Sequence, residues 1–75
     1  MVYERLRELL AEQLGIDAAE ISMDTHIVND LGADSLDLVE LMMALEDEFD
    51  LVITDESARE LYTVREITEY IEKLI

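Results

Sequence analysis

Ser35 lies in the run Asp30-Leu31-Gly32-Ala33-Asp34-Ser35-Leu36-Asp37, where residue types and spacing come closest to chemistry. Gly32 permits a tight backbone turn. Asp34 is a good helix N-cap, and Asp37 then falls at the third helical position, where a carboxylate suits the helix dipole. On that reading Ser35 occupies the first helical position, with a hydroxyl that capping does not need. On the other reading Ser35 is itself the cap, and its hydroxyl is engaged by a backbone amide. A helix N-terminus favours an attached phosphate through its free N–H groups and dipole, although Asp34 and Asp37 oppose the added negative charge.

Other chemistries lack their residues. Gly32-Ala33-Asp34-Ser35-Leu36 does not match the G-x-S-x-G nucleophile elbow. His26 is the only histidine and cannot build a zinc site alone, and the absence of cysteine excludes Cys-based metal sites. The acids from Asp24 to Asp34 are out of register for a calcium loop, and no glycine-rich phosphate loop occurs. Paired carboxylates need a cleft that a very small domain rarely builds. The expectation is a protein with no catalytic residue and no dedicated metal site.

Helices must position this run. Val2, Leu6, Leu9, Leu10 and Leu14 recur at helical spacing, and Gly15 stops a helix over 2–14. The stretch 16–34 is long and polar, with Asp17–Glu20 as a short helical turn and isolated apolar residues at Ile16, Ile21, Ile27, Val28 and Leu31. Over 35–50, Leu38, Leu41, Met42, Leu45 and Phe49 share one face, which predicts a core-facing helix. Leu36, Val39 and Met43 lie on a second face, fringed by Glu40, Glu46, Asp47 and Asp50. That second stripe is either an extension of the core with a solvated rim or a partner-docking patch. Residues 51–54 are an extended stretch with nothing to pair with, and a short helix is expected over 56–61. Thr63 and Glu66 have capping-box spacing ahead of Val64, Ile67, Tyr70, Ile71 and Leu74, predicting a last helix over 64–74. The fold class is all-α: a small four-helix bundle of three main helices and one short one, with a long ordered first loop, forming one domain over 1–75.

The charge is extreme for this size. Twenty acids against five bases give a net charge of −15 in 75 residues, where roughly 2–8 in magnitude is ordinary for a small domain. The excess is local. No Lys or Arg stands between Arg7 and Arg59, and the fifteen acids of residues 8–58 account for all of it. Nucleic acid and anionic membrane surfaces are excluded as partners, and basic proteins are favoured. Half the residues (51%) are hydrophobic and fall in periodic stripes, which argues for a folded chain rather than an acidic disordered one. No apolar run is long enough to span a bilayer and no signal peptide opens the sequence, so a cytoplasmic location is expected.

The run around Ser35, followed by Val39-Glu40-Leu41, Leu45-Glu46 and Glu48-Phe49, strongly resembles acyl carrier proteins. Gln13-Leu14-Gly15 and Thr63-Val64 with Tyr70-Ile71 extend the likeness over nearly the whole chain. The resemblance implies that Ser35 carries 4′-phosphopantetheine, taken from coenzyme A by a phosphopantetheinyl transferase, and that acyl groups ride on its terminal thiol. It implies an acyl pocket lined by Ile27, Leu41, Leu45, Phe49, Ile53, Ala58 and Leu61, each equally able to serve as plain core. It assigns docking to Asp34, Leu36, Asp37, Val39, Glu40, Met43 and Asp47, which would meet basic patches on enzymes of acyl-chain synthesis and transfer. The implied protein is a monomeric, discrete carrier of fatty-acid synthesis or a related pathway. Polyketide and D-alanyl carriers share the motif, and a rival of another class is an acidic interaction module without a prosthetic group. Ile27, Met23 and Thr54 replace a frequent Phe and two frequent prolines of the family, and His26 is unusual in that loop; these departures bear on pocket shape rather than on the attachment site.

Overall fold

In the computed structural model, which describes residues 2–75 apart from the side chain of residue 55, four helices follow one another. They are α1 (Val2–Leu14), α2 (Ser35–Phe49), α3 (Asp55–Ala58) and α4 (Val64–Leu74). The helix predictions over 2–14 and 64–74 hold to the residue, and the one over 35–50 to within one. The short helix is displaced: α3 starts and ends earlier than the expected 56–61. Residues up to Leu61 continue as turns closed by Glu60 N–H to the Ser57 carbonyl and Leu61 N–H to the Ala58 carbonyl. Thr54 starts α3 early, because its hydroxyl accepts the Ser57 amide at 3.1 Å as a cap would.

The core forms where α1, α2 and α4 bring their apolar faces together. Leu6 and Leu10 of α1, Leu41 and Leu45 of α2, and Val64, Ile67 and Ile71 of α4 are almost wholly buried. Each full side-chain burial of this kind stabilises by about 1.5–3 kcal/mol against exposure. Ion pairs add little beside that. Arg5 of α1 reaches Glu48 of α2 at 2.9 Å on the surface and also Glu8 at 2.9 Å. These hydrogen bonds lower the Glu48 carboxyl and raise the Arg5 guanidinium in the usual sense of a pair.

The long connection 15–34 is ordered by its own hydrogen bonds. Gly15 takes φ 69°, a left-handed value that glycine adopts without strain, and lets the Ile16 amide close on the Ala11 carbonyl. Asp17 caps a 3₁₀ turn over Ala18–Glu20. Arg7 donates to the carbonyls of Ala18 (2.7 Å) and Ile21 (3.1 Å), tying the loop to α1. Farther on, the loop satisfies the start of α4: Val64 N–H donates to the Thr25 carbonyl and Arg65 N–H to that of Met23. The Ile27 N–H in turn donates a hydrogen bond to the Tyr62 carbonyl, and the Ile27 side chain is fully buried. The His26 ring stacks on Tyr62 at 5.7 Å, and a single bridge between His26 and Thr63 is the nearest approach to β structure among the described residues. Thus the first loop and the chain at the start of α4 clasp one end of the bundle.

Candidate functional site

The start of α2 settles the two readings of Ser35. Asp34 is the N-cap, with extended φ −99° and ψ −175°. Its carboxylate accepts the Asp37 amide at 2.9 Å, and the Asp37 carboxylate accepts the Asp34 amide at 3.1 Å. This reciprocal capping box satisfies two backbone donors at once. Ser35 is therefore the first helical residue, exposed, and its hydroxyl is not the cap. Gly32 turns the chain into the cap at φ 70°. Ala33, buried at the same turn, and the Gln13 side-chain amide on the Asp37 carbonyl fix the helix start against α1.

Ser35 opens onto a groove of about 460 Å³ between α2 and the segment 53–59. Its α2 wall is Leu38, Val39, Met42, Met43 and Glu46; the facing wall is Ile53, Ala58 and Arg59. Glu46 does more than fringe the helix. Its Oε2 accepts the Ile53 amide at 2.8 Å, holding the extended stretch back over the groove. The stretch is aimed there by Asp50, which caps α2 in the left-handed region at φ 52° and donates its amide to the Glu46 carbonyl. Sequence reasoning missed this role for Glu46, because its partner lies seven residues on across an irregular turn; the acid-rich helix end gave no distinguishing signal.

The residues expected around a pocket separate into three environments. Ile53 and Ala58 line the groove beside Ser35. Ile27, Leu41, Leu45 and Leu61 are buried in the shared core behind it. Phe49 is partly buried and faces a separate shallow depression with Val2, Glu72 and Ile75. Leu38, Met42 and Met43 join the groove wall although the sequence gave them other duties, either core or docking.

The second apolar stripe of α2 is not core. Leu36, Val39 and Met43 are 64%, 55% and 60% exposed, far above the buried Leu41 and Leu45 one face away. Asp34, Glu40 and Asp47 are exposed and Asp37 is half-buried beside them. The result is an apolar strip rimmed by carboxylates on one helix face, with Ser35 at its head. Asp34 and Asp37 each commit one oxygen to the capping box, so part of their charge is shared with the backbone.

Comparison with known proteins bears on what this geometry is for. The family described as the phosphopantetheine attachment site matches residues 4–71. An acyl carrier protein of Clostridium acetobutylicum is 52% identical over 71 residues, covering 95% of this chain and 92% of that one. One from Solidesulfovibrio magneticus is 50% identical over 72 residues, with 96% and 92% covered. The chain belongs to the acyl carrier protein family. A solved Mycobacterium tuberculosis chain assigned to the same class superposes with a TM-score of 0.93 at 31% identity, with both chains covered in full. The all-α fold is that of the family. Acyl carrier proteins bear acyl groups as thioesters on 4′-phosphopantetheine and are carriers, not enzymes. Their work requires encounters with the transferase that installs the group and with enzymes of acyl synthesis. No helix among the described residues is long and apolar enough to cross a membrane.

Proposed function

We propose that Ser35 is the residue of this acyl carrier protein that bears 4′-phosphopantetheine. The observation that carries the proposal is the Asp34–Asp37 capping box, which frees the Ser35 hydroxyl at the head of the groove. The residues around it fit the group. Only the third amide of the helix is taken by the Asp34 side chain, so the first amides remain to face a phosphodiester. Leu38, Val39 and Met42 offer apolar surface to an arm lying along the groove. When attached, the group supplies the terminal thiol on which acyl groups are held, consistent with a chain that has no cysteine of its own.

The α2 face of Asp34, Leu36, Asp37, Val39, Glu40, Met43 and Asp47 docks basic patches of the transferase and of acyl-chain enzymes. Ile53 and Ala58 take the acyl chain first. Ile27, Leu41, Leu45 and Leu61 receive it only by yielding core packing, and Phe49 stands at the far end. The carrier acts as one domain over 1–75, as a monomer in the cytoplasm, in fatty-acid synthesis or a related pathway. Carriage of polyketide or D-alanyl groups is the competing assignment, and loading of the holo protein with each donor class separates them.

Peptide mapping tests the attachment residue. Trypsin releases residues 8–59 as one peptide, because no Lys or Arg lies between Arg7 and Arg59. After incubation with coenzyme A and a broad transferase, fragmentation of that peptide places the added mass on Ser35. Placement on Ser22 or Ser57 would overturn the assignment.

A further inference from the structure

The groove at Ser35 contains one cation, Arg59, and the residue falls outside every role described so far. It directly follows the window of residues 8–58, which holds no Lys or Arg. Its backbone is set by the turns that follow α3, while its side chain is exposed. Three other cations are engaged elsewhere: Arg5 by Glu8 and Glu48, Arg7 by carbonyls of the first loop, and Arg65 by Asp24.

The groove also contains an electrostatic difficulty. A phosphodiester on Ser35 brings one more negative charge beside the carboxylates of Asp34 and Asp37, in the most acidic part of the chain. Glu46, on the same wall, is turned to the Ile53 amide and adds to the negative field. A guanidinium presents a planar fork of donors that matches phosphate oxygens, and keeps its charge at any working pH. We propose that Arg59 is the counter-ion of the phosphodiester on Ser35, a positioning residue that draws the first part of the arm over the apolar wall of the groove. This rests on the attachment of the arm at Ser35. Because the pair is at the surface, salt screens it and its thermal signature is small, so the readout is spectroscopic.

The experiment compares apo and holo protein, loaded with coenzyme A and a transferase and checked by intact mass. In ¹⁵N-labelled protein the Arg59 Nε–Hε resonance shifts on conversion to holo, and the shift shrinks as salt is raised. The ³¹P resonance of the holo protein moves in Arg59→Gln and stays in place in Arg65→Gln, a control on a cation engaged elsewhere. A normal mass gain with an unmoved Arg59 resonance and an unmoved ³¹P line overturns the proposal while leaving attachment intact. A mass gain that survives Ser35→Ala overturns the attachment and the proposal with it. A shift that appears only when the arm carries a malonyl group, and not an acetyl group, assigns Arg59 to an acyl carboxylate and also overturns the phosphate pairing.

Discussion

Asp34, rather than Ser35, is the residue on which the site turns. Removing its carboxylate in Asp34→Ala takes away the N-cap and one half of the capping box. The expected cost is about 1 kcal/mol, lowering Tm by roughly 4–8 °C in a domain of this size. The same substitution leaves Ser35 as the nearest hydroxyl able to cap, so modification by the transferase slows as well. A thermal melt and a time course of mass gain check both effects. Glu66 closes the second capping box by accepting the amides of Thr63 and Tyr62 at 3.0 and 3.1 Å. Those bonds, Thr63's first, hold its carboxyl below the ordinary value. A depressed folded-state pKa contributes stability that is complete above the unfolded pKa and lost as pH falls through the folded one. Glu66→Gln is therefore less stable than the parent at neutral pH, and the gap closes as pH drops below the usual carboxylate range; denaturant melts across pH measure it. The Thr63–Glu66 box was legible in sequence because it is a local four-residue pattern. At the start of α2 the sequence left the cap open between Asp34 and Ser35, and the structure gives it to Asp34. The bond from Glu46 to the Ile53 amide was not legible, since nothing local specifies its partner.

At the scale of elements, α2 serves three surfaces at once: core, groove and an exposed apolar strip rimmed by carboxylates. The split of its apolar residues into two faces was readable from spacing alone. Which face was core required the third dimension, and the exposure of Leu36, Val39 and Met43 answers it. Leu36→Ala and Met43→Ala are expected to weaken docking to an acyl-chain enzyme without lowering Tm, because neither residue is buried. Rim charges act chiefly on encounter rate. Glu40→Lys and Asp47→Lys thus slow association several-fold at low salt, and the difference fades as ionic strength rises; stopped-flow association at two salt concentrations reads this directly. The end of α2 bears a cost for its acidity. Its last turn has no base, and Asp50 caps it with a left-handed backbone while adding negative charge to the negative end of the dipole. Asp50→Gly relieves both effects and should raise stability by up to about 1 kcal/mol, seen as a higher denaturation midpoint. The long first loop was the least legible element. Its order comes from Arg7, Thr25 and Ile27 meeting residues far along the chain, which no local pattern announces.

For the molecule as a whole, the net charge of −15 is a placement as much as a quantity. Eight acids and no base lie from Asp30 to Asp50, around Ser35 and along α2. Three surface ion pairs among the described residues offset little of that field. The fold then stands against its own repulsion on a small core, and added salt is expected to raise Tm; a melting temperature indifferent to salt would contradict that picture. The charge imbalance, the all-α class and the run around Ser35 were available from the sequence, whereas the groove emerges only when the segment 53–59 folds back over α2. All of these features have meaning for function only if the arm is carried where the helix begins. Intact mass after incubation with coenzyme A and a broad phosphopantetheinyl transferase tests this most directly. One phosphopantetheine mass is expected on the parent chain and none on Ser35→Ala, whose fold is intact by its melting curve. An unmodified parent chain, or a Ser35→Ala chain that gains the same mass, would contradict the account.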